Sequence, residues 1–215
     1  ASMAFSKMEG TTINIKDKVA YSAMARVEKS MVDPIKYGDH GVHVALNKSG
    51  AVYAHKLSGG QKTINNAMPI NSEWVPVSMS VPPNLAGQDI AADELGNKSH
   101  PDKISCPDNI KYSEKMRTLF IGEDSGTHVN NFLWAYNVDT HQLSRLLSTP
   151  AGAESTGLHA IDEVNGFTYI MSNFQHPGEG LADNPKVAEK VLPLINRHYK
   201  DSYGAAVGYL GLKLE

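Results

Sequence analysis

One cysteine, Cys106, stands in 215 residues. A lone cysteine excludes an intramolecular disulfide, so no covalent cross-link within the chain holds the fold. No uninterrupted apolar run approaches the 18 residues of a membrane-crossing helix. Charge of one sign is also missing. Lys and Arg number 20 against 23 Asp and Glu, a formal charge of −3 with nine His neutral, and no run of five cations occurs. That balance offers no basis for electrostatic capture of nucleic acid. GxSxG, CxxC, a P-loop and HExxH are all absent, which removes the function classes resting on those motifs.

What the sequence does contain is a hydrophobic fraction of 41%, enough for an ordinary core, spread over short strand-like segments between Gly, Asn, Asp and Pro breaks. Residues 18–25, 50–57 and 74–79 read as strands, and Pro76 assigns the last to a sheet edge. Residues 108–112, 117–123, 131–138 and 142–149 follow, with Asp139-Thr140-His141 as a turn. Four strands in about 45 residues have the dimensions of one propeller blade. The pattern restarts at Ala153, with strands at 158–162 and 167–172, and the first unit fits the same frame from Met8. The prediction is an all-β single domain over residues 1–215: a partial β-propeller of about three blades, at about 5–80, 106–150 and 151–215.

An acid stands near the start of the first strand of each unit: Glu9, Asp108 and Glu154. First strands of propeller blades line the central channel, so these acids would converge on one axis. A convergent oxygen-rich site suits a hard cation such as Ca²⁺. Three blades do not close a ring. The chain is therefore expected to adjoin N-terminal blades, to pair with a second copy, or to protect its sheet edges.

Two segments fall outside the blades. Residues 80–107, rich in Pro, Asn, Asp and Gly, read as a long inserted loop with a short helix near 89–95. Residues 185–199 read as a C-terminal helix. Asn184 is its N-cap, Pro185 takes its first position, and Val187, Val191, Leu192, Leu194 and Ile195 form its apolar face. The start at Ala1 reads as a cut from something longer, and Leu214-Glu215 as a vector remnant.

Several short runs carry chemistry. Lys7 and Glu9, two apart on a strand, share a face. Either Glu9 holds a cation and Lys7 a phosphate, or the two form an ion pair. Glu123 and Asp124 end the most apolar strand before Ser125-Gly126. They suit a metal or phosphate loop, or a tight turn with solvated acids; neighbouring carboxylates repel unless neutralised. His176, before Pro177-Gly178, suits a ligand, an acid–base group or a substrate contact, or a buried ring bonded to backbone. Cys106 reads as a small packed residue.

Lys7-Met8-Glu9-Gly10, Pro107-Asp108-Asn109, Gly122-Glu123-Asp124-Ser125-Gly126 and Gln175-His176-Pro177-Gly178-Glu179 resemble, in the same order, runs of the PhoX family of bacterial alkaline phosphatases. Glu154-Ser155-Thr156-Gly157 sits where that family has a similar Glu-x-Thr-Gly. The resemblance spans most of this chain but only the C-terminal part of a family member. It implies a six-bladed propeller carrying iron and calcium ions (Fe³⁺ and Ca²⁺) at one end of its axis, phosphate monoester substrates, and a periplasmic or secreted location. It implies that Glu9 and Asp124 are metal ligands and that Gly10 and Ser125 add backbone carbonyls. Lys7 stands where the family usually has a phosphate-holding Arg, and Lys cannot grip two oxygens in a planar fork. Lys7 and His176 are the catalytic candidates. The family's bridging Cys and further acidic ligands belong to N-terminal blades, so this chain supplies part of a metal site and alone would show little phosphatase activity. The competing functions are a calcium-dependent propeller lactonase or esterase, and a non-catalytic propeller binding module.

Overall fold

Tight turns between short strands dominate the computed structural model, which describes residues 5–199 and 204–213. Ala1 and Leu214-Glu215 lie outside the described residues. Four strands form the first sheet: β1 (Met8–Asn14), β2 (Val19–Met24), β3 (Ala51–Ser58) and β4 (Val75–Ser80). The second contains β5 (Pro107–Ser113), β6 (Thr118–Glu123), β7 (Phe132–Asn137) and β8 (Leu143–Ser148). The third contains β9 (Glu154–Val164), β10 (Phe167–Gln175) and β11 (Ala206–Lys213). Every sheet is an antiparallel meander in chain order. Helix α1 (Pro34–Tyr37) is a single turn, and α2 (Pro185–Tyr199) separates β10 from β11. No helix among the described residues is long and apolar enough to cross a membrane. The mostly β architecture, the edge position of β4 with Pro76, and the C-terminal helix agree with the sequence reading.

Local chemistry accounts for the turns. Asn165 and Gly166 both have positive φ, 52° and 81°, the requirement of the two-residue turn joining β9 to β10. At α2 the Asn184 side chain accepts the Val187 N–H at 3.4 Å, and Pro185 fills the first position, where no N–H is needed.

The sheets stack face to face. Tyr21, Ala23 and Val52 of the first sheet meet Ile110, Tyr112, Leu119, Ile121, Trp134 and Tyr136 of the second. The opposite face of the second sheet, through Phe120 and Leu133, meets Ala160 and Ile170 of the third. β6 is thus covered on both sides, which explains why it is the most apolar strand: a strand buried on both faces cannot alternate. The leading strands adjoin one another, β1 beside β5 and β5 beside β9. At Gly10 an added Cβ would stand 2.6 Å from the Asp108 carbonyl oxygen, so the β1–β5 approach requires glycine.

Three expectations change. Residues 89–95 form no helix; an isolated Asp89↔Ser99 bridge and a turn capped by the Asp93 carboxylate take its place. The side chain of Asp93 competes for the N–H groups of Leu95 and Asn97, a bonding mode that favours turns over helix. The inserted loop, read as lying outside the blades, also contributes to the core: Leu85 and Ile104 are fully buried between the first two sheets. Finally, β11 was not anticipated. Gly208 and Gly211 dilute its alternation, and its partner strand β10 precedes a whole helix.

Candidate functional site

Antiparallel pairing brings the start of β5 next to the end of β6, with Pro107 opposite Glu123. The start of β9 reaches the same end, where the Gly122 Cα approaches the Ser155 carbonyl closely enough that a Cβ would lie 2.5 Å from its oxygen. Asp108, Asp124 and Glu154 are carried to that end. Their carboxylate oxygens lie within 4.8 Å of one another, Asp108 and Glu154 half-buried and Asp124 exposed.

Three carboxyls this close cannot all ionise freely. Burial pushes the Glu154 carboxyl up to about 7, reinforced by the charges of Asp124 and Asp108 and by a hydrogen bond shared with Asp124. Gln175 Nε2 also donates to Glu154. Burial raises Asp108 as well, and the Glu9 charge is the next cause, so Glu9 belongs to the same electrostatic cluster. Lys7 supplies a cation there. Its Nζ donates to Glu9 Oε1 at 2.8 Å, a bond that raises the lysine, and the charges of Asp124 and Asp108 act in the same sense.

A cavity of about 530 Å³ opens beside the acids. Asp124, Gly126 and Glu154 form one side, with Lys98 from the inserted loop and Glu179 and Asp183 from the segment after β10.

Each predicted residue has a definite place. Glu9 and Asp124 stand at the same end, with Glu9 in an ion pair with Lys7, which lies just before β1 at φ 42° rather than on the strand. Gly10 packs backbone against backbone on Asp108 and Asn109. Ser125 is buried; its carbonyl accepts from Asn131 Nδ2 at 3.2 Å and its Oγ lies 2.7 Å from Ser105 Oγ. His176 follows β10 with φ 58°, and its carbonyl accepts the Glu179 N–H at 3.0 Å. The cavity wall takes Glu179 and Gly180 from that turn and not His176. Cys106 is packed at 2% exposure, its Sγ 3.6 Å from the Lys48 carbonyl. Asp108 and Glu154, which the repeat pointed to, join Asp124 more closely than Glu9 does.

Glu123 is the residue that sequence reasoning misplaced. Adjacent strand residues face opposite ways, so its carboxylate turns into the interior while Asp124 faces out. Its partner is His128, whose Nδ1 lies 3.0 Å from Glu123 Oε2, both side chains wholly buried. Nothing in the spacing of residues 123 and 128 signals that pairing.

No family model matches the chain, and no curated protein or solved structure matches it.

Proposed function

We propose that this chain supplies part of the metal site of a phosphomonoesterase, on a partial β-propeller of about three blades resembling the PhoX-type alkaline phosphatases. The observation carrying the reading is the convergence of Asp108, Asp124 and Glu154, from three different strand ends, to within 4.8 Å. A donor set made only of carboxylate oxygens fits a hard cation such as Ca²⁺. Fe³⁺, also hard, comes from the resemblance and would use the same oxygens. Asp108, Asp124 and Glu154 would hold the cation, with Glu9 contributing once released from Lys7. A bound cation would supply Lewis-acid polarisation of a phosphoryl oxygen. Lys7, freed from Glu9 by that competition, would steady negative charge on the phosphate.

The ordered motif set and the neighbouring leading strands β1, β5 and β9 support this reading. Further acid-bearing blades would complete the site. The deciding experiment is metal analysis of purified protein, followed by hydrolysis of an aryl phosphate against a lactone by the intact propeller. Iron with calcium, and phosphate hydrolysis abolished by Asp124→Asn or Glu9→Gln, support the phosphatase. Full activity in both variants, or lactone turnover alone, rejects it.

A further inference from the structure

We infer that Glu123 and His128 are a positioning pair that sets the spacing between Asp108 and Asp124. The inference rests on the metal-site reading above. Glu123 Oε1 accepts the Ser105 N–H and the Trp134 Nε1–H, each at 2.7 Å. Its Oε2 accepts the Phe132 N–H at 3.0 Å and faces His128 Nδ1. The other ring nitrogen, His128 Nε2, lies 3.2 Å from the carbonyl of His100. The buried pair therefore joins the end of β6, the start of β7 and both ends of the 100–105 segment, Ser105 through Glu123 and His100 through His128.

These bonds fix two chain positions at once. Glu123 precedes Asp124, and Ser105 lies three residues before Asp108. The Asp124 N–H donates to the Cys106 carbonyl at 3.2 Å, which continues the register set by Glu123 and Ser105. From the far side, Ser125 Oγ accepts the N–H groups of Thr127 and His128, and Asn131 Oδ1 accepts the Ser125 N–H at 2.7 Å. The loop carrying Asp124 is thus closed at both ends on the buried pair. Burying a polar pair carries a desolvation cost that apolar packing of the same volume would not. A stability role alone gives no reason to place it next to an exposed cluster acid. Outer groups that orient ligands characteristically change metal affinity 10–100-fold on mutation.

The test uses Tb³⁺ as a luminescent stand-in for Ca²⁺ and amide hydrogen exchange, on the whole chain. His128→Gln should bind Tb³⁺ about 10–100-fold more weakly and speed exchange at 124–128, with exchange in β1–β4 unchanged. Glu123→Asp, which keeps the carboxyl group but shortens its reach, should fall between. A folded His128→Gln with wild-type exchange at 124–128 overturns the inference, and so does faster exchange spread evenly over all sheets. Where the variants do not fold, the wild type decides. Amides of 124–128 exchanging as slowly as those of β6 support the pair, and exchange at the rate of an open loop overturns it. A wild type that ignores Tb³⁺ rejects the metal reading, while the exchange results still judge the pair.

Discussion

Glu154 and Asp124 share a hydrogen bond at the edge of the cavity, and burial with that neighbour holds the Glu154 carboxyl near 7 rather than its ordinary 4.5. A proton between two carboxylates replaces the cation that would otherwise separate them. The metal-free protein and the metal-loaded protein should therefore differ in proton content at neutral pH.

A pH dependence of stability follows. The folded state keeps a proton on Glu154 that the unfolded chain releases near 4.5. The stabilisation is complete below that pH and is lost as pH rises through about 7. Asp108, also raised by burial, acts in the same sense. Urea unfolding in a chelator should show stability falling from pH 5 toward pH 7.5, about the window of that shift. Glu154→Gln should flatten the slope.

Asp124→Asn should move the Glu154 carboxyl down toward its ordinary value, since it removes a negative neighbour. Carboxyl ¹³C shifts followed against pH check this. The same variant should lose stabilisation by Ca²⁺, which in the wild type should reach about 2.7 kcal/mol at a hundredfold excess over Kd. Thermal unfolding with and without Ca²⁺ measures it.

Gly10→Ala should destabilise the protein by about 1–3 kcal/mol, because the added methyl meets backbone atoms that side-chain motion cannot clear. The contacts are the Asp108 oxygen at 2.6 Å and the Ile110 nitrogen at 2.9 Å. Gly126→Ala is the control, with nothing within 4 Å of its Cβ; it should stay within about 0.5 kcal/mol of wild type. Denaturant midpoints distinguish the two.

Leu85→Ala should cost about 2–5 kcal/mol, the range for a fully buried leucine. Leu85 has no exposed surface and lies between the first two sheets. A detachable lid would tolerate the change, so urea unfolding also tests whether the 80–107 segment belongs to the core.

Short-range pattern was enough for much of this protein. Alternating apolar residues, Gly, Asn, Asp and Pro breaks, and the Asn184-Pro185 cap are rules that act over a few residues. They located β2 to β8, β10 and α2, and the repeat placed acids at the starts of β1, β5 and β9. Long-range relations escaped. β11 pairs with β10 across an intervening helix, and the loop residues Leu85 and Ile104 became core because two sheet faces meet there.

The candidate site divides the same way. Sequence alone supplied the acids, their order and their positions at strand starts or, for Asp124, at a strand end. Tertiary structure decided which of them meet: it gathered Asp108, Asp124 and Glu154, tied Glu9 to Lys7, and turned Glu123 inward to His128. The reason is geometric. A strand's period fixes which face a side chain takes, but only sheet stacking brings residues 30 or more positions apart, such as Asp124 and Glu154, within reach of one ion.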